Sequence, residues 1–222
     1  MISVSPSLVG SYEYWQSLEA GTDRSDEKRA ELIEQVKGIH REKSLPLRLG
    51  SAWHKAIDGP PPCDVDLIHD VDNDIKLDWP SVRGAIDNQP PDIIREVAGN
   101  LDLPEIDATM RLRADGLRGN EVHEIKSTGK PINAAKVDNF AASLQWRAYL
   151  LAFDCDVCWY HVYHLKRVRK TGVFFVADYV PLSMYRYPGM RNDVARRVSI
   201  VAEWIRSEGL ADYRPVYDSR MP

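Results

Sequence analysis

Residues 111–126 read Arg-Leu-Arg-Ala-Asp-Gly-Leu-Arg-Gly-Asn-Glu-Val-His-Glu-Ile-Lys, and their reading decides the fold. Residues 105–117 look extended, because Ile106, Ala108, Met110 and Leu112 alternate with polar partners in the two-residue period of a strand. Gly119-Asn120 is a good two-residue hairpin loop, so residues 121–127 return as an antiparallel strand. With that loop, Arg118 opposes Glu121, Leu117 opposes Val122 and Asp115 opposes Glu124. Directly opposed residues hold their Cβ atoms ~5 Å apart on one face. Side chains alternate along a strand, so Lys126 shares the face of Glu124 while His123 and Ile125 point away.

Two opposed carboxylates repel, and a proton, a cation or water must offset the cost. An all-oxygen pair beside a lysine suits Mg²⁺ or Mn²⁺. Such an ion lowers the pKa of a bound water and stabilises charge on a phosphoryl oxygen. Lys126 can orient a nucleophile or hold developing negative charge. A surface hairpin with solvated charges is the competing reading of the same triplet.

Working outward, the spacing predicts helices over 7–20, 26–41 and 46–58. The first carries Leu8, Tyr12, Trp15 and Leu18; the second has Ser25 as N-cap and a stripe of Leu32, Ile33, Val36 and Ile39. Gly59-Pro60-Pro61-Pro62 stops the third. Residues 63–78 read as an exposed acidic loop without the glycine and glutamate of a calcium loop. Residues 80–99 suit one or two short helices broken at Pro90-Pro91. Beyond the hairpin come a long helix over 133–153, strands over 157–165 and 173–180, and an amphipathic helix over 190–208. The fold class is α/β: one domain whose helical N-terminal part (1–103) precedes an α/β core (104–210).

Composition sets the outer bounds. With 222 residues, 44% hydrophobic and 28% charged, the chain can build one real core. No apolar run approaches the ~18 residues of a membrane span. No signal peptide is visible and three cysteines make no disulfide framework, so the expected location is the cytoplasm. The net charge of −4 hides an asymmetry. Residues 1–110 hold 11 Lys+Arg against 21 Asp+Glu, whereas residues 111–222 hold 18 against 12. A basic working surface can therefore sit on the second half.

Two more pairs complete the pattern. Gly50 and His54 lie one turn apart on a predicted helix, and Gly50 leaves room for close approach; Gln145 and Tyr149 stand at i and i+4 on the long helix. The order of these pieces resembles the PD-(D/E)XK nuclease superfamily, and within it the RecB-like exonuclease branch. That branch shows a GxxxH-type helix, an Asp, an ExK strand and a QxxxY helix, here over roughly residues 45–165. The resemblance implies a restriction-endonuclease-like core, a mixed central sheet flanked by helices. It implies a metal-dependent deoxyribonuclease using Mg²⁺ or Mn²⁺, with His54, Asp115, Glu124 and the Ile125 carbonyl as metal ligands. Lys126 would be the catalytic lysine beside Asp115 and Glu124. Gln145 and Tyr149 would contact DNA or brace Lys126, and Glu105 is a further acidic candidate. Apart from the resemblance, the basic residues Arg113, Lys130 and Arg147 cluster around these motifs and are candidate DNA contacts.

The chain departs from the family pattern in places. Ala114 stands where the eponymous proline would be. Only Cys63, Cys155 and Cys158 are present, so a four-cysteine iron–sulfur cluster is not expected. Cys155 and Cys158 with His161 and His164 would not converge on an ion, because residues three apart on a strand face opposite ways. There is no P-loop of its own. The expected enzyme resembles stand-alone bacteriophage recombination exonucleases, acting on linear DNA ends in recombination or repair. A single-strand annealing protein is a possible partner and a homo-oligomer a possible state. Phosphate-binding candidates include the run Lys166, Arg167, Arg169 and Lys170. An endonuclease on the same core and a non-catalytic DNA-binding module are the alternatives.

Overall fold

Ser5 begins the fold's first helix, accepting the Leu8 amide on its hydroxyl at 3.2 Å. In this computed structural model, residues 1–39, 42, 44–59, 67–69 and 75–213 are described, with 67–69 as backbone alone. The N-terminal part comprises β1 (Ile2–Val4), α1 (Pro6–Gln16), α2 (Asp23–Val36), α3 (Leu45–Asp58), β2 (Leu67–His69), β3 (Lys76–Asp78), α4 (Trp79–Asp87) and β4 (Ile94–Leu103). A single 3-10 turn (Pro104–Ile106) leads to β5 (Ala108–Arg118) and β6 (Glu121–Thr128). Then follow α5 (Ala134–Ala142), α6 (Leu144–Ala152), β7 (Val157–Arg167), β8 (Val173–Tyr185) and α7 (Met190–Ser207).

The strands form one mixed sheet in the order β1-β5-β6-β7-β8-β3-β2, with β4 also paired to β5. The parallel β6–β7 pair requires a crossover, and α5 with α6 supply it. Helices cover both faces. One apolar cluster joins Leu8, Leu32, Met110, Leu150, Val162 and Val198, under α1, α2, α6 and α7. The other joins Trp53, Ile57, Leu77, Val82, Ile125 and Tyr163, under α3 and α4. Burying each such side chain contributes about 1.5–3 kcal/mol. The predicted α/β class, a mixed sheet flanked by helices, is the architecture observed.

Several local expectations need correction. The N-terminal part is not purely helical, since it adds β1, β2, β3 and β4 to the sheet. Residues 94–103 form a strand where a helix is expected up to residue 99, because pairing to β5 over nine register positions decides the conformation of a segment with one exposed face. The helix expected over 133–153 breaks at Ser143, whose ψ of 139° leaves the helical range and whose hydroxyl caps α6 on the Gln145 amide. Thr22, not Ser25, caps α2; Ser25 lies inside it and accepts the Trp15 indole N–H at 3.2 Å. In the acidic stretch, Asp78 caps α4 through the Ser81 amide at 3.0 Å. Its other acids, Asp64, Asp66, Asp70, Asp72 and Asp74, lie outside the described residues, as do Pro60-Pro61-Pro62 and Cys63.

Candidate active site

The hairpin turn is where the sequence puts it: Gly119 takes φ +53°, and Arg118↔Glu121, Leu117↔Val122 and Gly116↔His123 are paired. The ladder stops there, one step short of Asp115 and Glu124. On its other side β5 pairs with β4 at Arg95↔Gly116 and Val97↔Ala114, skipping Glu96, whose φ of +54° is left-handed. Asp115 thus sits where both ladders open. Its carboxylate accepts the Ile125 amide at 2.6 Å, replacing the carbonyl that a continuous ladder would offer. Its own amide points at Glu124 Oε2 at 3.5 Å.

Glu124 is the centre of the site. Lys126 donates to Glu124 Oε1 at 2.7 Å, and the same oxygen accepts from Gln145 Nε2 at 3.1 Å. Gln145 also donates to the Tyr149 hydroxyl at 2.7 Å, and Tyr149 in turn donates to the Arg113 carbonyl at 2.7 Å. That chain fastens α6 to β5 and β6 together. Lys126 lies over the Tyr160 ring at 5.6 Å, a further hold on its ammonium. From α3, His54 Nδ1 approaches Asp115 Oδ1 to 3.5 Å.

Burial dominates the electrostatics. Glu124 is almost wholly enclosed, which pushes its carboxyl up to about 7; Lys126 pulls against that, while Asp115 adds to it. Asp115 is raised to about 6, again by burial first, with Lys126 and the Ile125 amide opposing. Burial lowers His54, leaving a neutral imidazole with a lone pair to offer. For Lys126 burial pulls downward, but Glu124 and Asp115 outweigh it and the amine stays cationic.

Two buried carboxylates with one ammonium hold more negative charge than they neutralise. That excess fits a divalent cation. Among the described residues, no three His, Cys, Asp or Glu side chains converge as a ready ion cage. Asp115 and Glu124, with the Ile125 carbonyl, therefore suit an ion that retains much of its own water, such as Mg²⁺.

The structure brings His54, Asp115, Glu124, Lys126, Gln145 and Tyr149 together, with the Ile125 backbone at their centre. Other candidates stand elsewhere. The Arg147 guanidinium donates to the carbonyls of Ala141 and Ser143 and packs on Trp146, bracing the α5–α6 junction. Arg113 contributes its carbonyl, while its side chain holds Glu96 at 2.7 Å. Lys130 is exposed beyond β6, and Glu105 pairs with Arg191 at 3.3 Å. Gly50 is not needed for close approach, since a Cβ there would meet only Ser127 Oγ at an ordinary 3.5 Å. Sequence reasoning missed Glu96 and Asp58. Asp58 follows His54 by one helical turn and pairs with Arg95 at 3.0 Å, a legible spacing; nothing in the sequence marks Glu96. Cys155 and Cys158 are buried free thiols, and His161 bonds His123 and Tyr179 at 3.0 and 2.9 Å. No helix among the described residues is long and apolar enough to cross a membrane.

No family model matches the chain, and no curated protein matches it. Among solved structures it is similar to LHK-Exo, an alkaline exonuclease from Laribacter hongkongensis, at 14% identity, covering 93% of this chain and 89% of that one with a TM-score of 0.49. The same exonuclease in complex with dAMP gives 17% identity, 92% and 88% coverage and a TM-score of 0.48. A third structure, SSO0001, gives 10% identity, 92% and 77% coverage and a TM-score of 0.49. At such scores the chemistry has to be read from the site itself.

Proposed function

We propose that the chain is a metal-dependent deoxyribonuclease of the PD-(D/E)XK type, RecB-like, acting as an exonuclease on linear DNA. One observation carries the reading: Asp115 and Glu124 meet at a gap in the sheet, with Lys126 on Glu124 at 2.7 Å and His54 within 3.5 Å of Asp115. Asp115, Glu124 and the Ile125 carbonyl would hold Mg²⁺ or Mn²⁺, with His54 beside them. When bound, that ion supplies an acidified water and neutralises phosphate charge. Lys126, cationic throughout the working range, stabilises negative charge on the phosphoryl oxygens as the bond breaks. Gln145 fixes the Glu124 carboxylate, and Tyr149 fixes Gln145, so the acid faces the gap in one orientation. No iron–sulfur cluster belongs to this reading. A role in phage-type recombination or repair, with a separate annealing protein, follows from the same resemblance.

The test offers linear, nicked and closed circular DNA with Mg²⁺ or Mn²⁺. Degradation of linear DNA that chelator abolishes is expected. Cleavage of closed circles would replace the exonuclease by an endonuclease. Full activity in a folded Lys126→Ala variant would remove the site assignment.

A further inference from the structure

Positive charge is partnered unevenly over this protein. Arg29, Arg95, Arg186, Arg191, Arg197 and Arg206 each hold a carboxylate at 2.6–3.5 Å. Among the described residues, Lys130, Lys136, Lys166, Arg167, Arg169 and Lys170 hold none. The parallel β6–β7 pair gathers these six at one end of the sheet. β6 ends at Thr128, level with His164 of β7. Lys130 and Lys136 follow it, and Lys136 Nζ reaches back to Thr128 Oγ1 at 2.9 Å. β7 runs on through Lys166 and Arg167 into the hairpin that carries Arg169 and Lys170, tied by Gly172 N–H to the Val168 carbonyl at 2.9 Å. All four hairpin cations are exposed. Lys126 is level with Val162, so the hairpin begins its turn ~16 Å beyond the site along the strand direction.

Four cations within five residues repel one another, and no carboxylate among the described residues forms an ion pair with them. A polyanion laid across this end would supply the counter-charge. We propose that this rim is a docking surface for the phosphodiester backbone of a nucleic acid, holding substrate away from the Asp115–Glu124 gap. The identity of that polyanion rests on the nuclease reading. Repeated phosphates match the separated cations, and no base-specific group is required.

The test replaces Lys166, Arg169 and Lys170 together by serine. Arg167 is retained, because its guanidinium lies over Phe174 and bonds the Gly172 carbonyl. Binding of labelled duplex and single-stranded oligonucleotides is measured in EDTA across a salt series, so no cleavage intervenes. The slope of log K against log salt is expected to fall by about 2.7 on duplex DNA or about 2.1 on single strands, and the value tells which form docks. Affinity at about 0.1 M salt should weaken on the order of a hundredfold. Lys166→Arg with Lys170→Arg should keep the wild-type slope. Unchanged slopes in the serine variant on both forms overturn the proposal. Hydrolysis of a small phosphodiester, bis(p-nitrophenyl) phosphate, reads the catalytic gap alone and should be unaffected by the serine changes. A wild type that cleaves nothing, with the slope still lost in the variant, would leave the docking surface standing and remove the nuclease.

Discussion

Replacing Glu124 by glutamine should stabilise the metal-free protein while destroying its activity. The Glu124 carboxyl rises from 4.5 to about 7 on folding, chiefly through burial. A group whose folded pKa is raised lends its full stability below the unfolded pKa and loses it as pH climbs through the folded one. The window is therefore 4.5 to about 7. Each unit is about 1.4 kcal/mol, so the ionised carboxylate costs about 3 kcal/mol above neutrality, of which about 2 kcal/mol falls between about pH 5.5 and 8. The amide fits the site. Its carbonyl can keep both donors on Oε1, Lys126 and Gln145, and its nitrogen takes the place of Oε2, which the Asp115 amide approaches at a long 3.5 Å. Urea unfolding in EDTA at the two pH values measures the effect. Wild type should lose more stability than Glu124→Gln on going to the higher pH, by about 2 kcal/mol. Equal pH dependence, or a variant less stable at pH 8, would refute the claim that this carboxylate is held ionised against its surroundings.

Asp115→Asn and Lys126→Ala should each lower DNA degradation by about 10³-fold or more with circular dichroism unchanged; residual rates near wild type would place the chemistry elsewhere. Tyr149→Phe removes the hydroxyl that donates to the Arg113 carbonyl and accepts from Gln145, leaving Gln145 Nε2 held by Glu124, so thermal unfolding should report a loss of about 1–3 kcal/mol. Its activity should fall about tenfold or more as Gln145, no longer fixed by Tyr149, holds Glu124 less firmly. Gly50→Ala should be tolerated and stabilise α3 by about 0.5–1 kcal/mol, the ordinary helical advantage of alanine, with unaltered activity. A loss of activity there would mean the glycine serves bound substrate.

The hairpin was legible because its signals are local. Gly119-Asn120 fixes the turn, and the turn fixes which residues oppose one another. The same logic carried Asp115, Glu124 and Lys126 onto one gap. It could not show that the ladder opens there, because that depends on Glu96 adopting a left-handed backbone on a neighbouring strand. β4 was hidden for a related reason: its partner β5 decides its conformation, and half of its side chains face solvent. Ser143 is a different kind of miss. An apolar helical period runs across it, yet its hydroxyl caps the second helix and lets α6 start in a new direction. Arg147 and Lys130 carry charges the sequence could count but not aim.

The opening strand imposes an order on the protein's own synthesis. Ile2, Ser3 and Val4 pair with Ala108, Thr109 and Met110. These partners emerge from the ribosome more than a hundred residues apart. At ~5–20 residues per second, the first strand waits on the order of 5–20 s for its neighbour. During that interval Ile2 and Val4, buried in the finished sheet, are exposed to every other nascent chain. Contacts so distant in sequence also slow refolding of the whole chain.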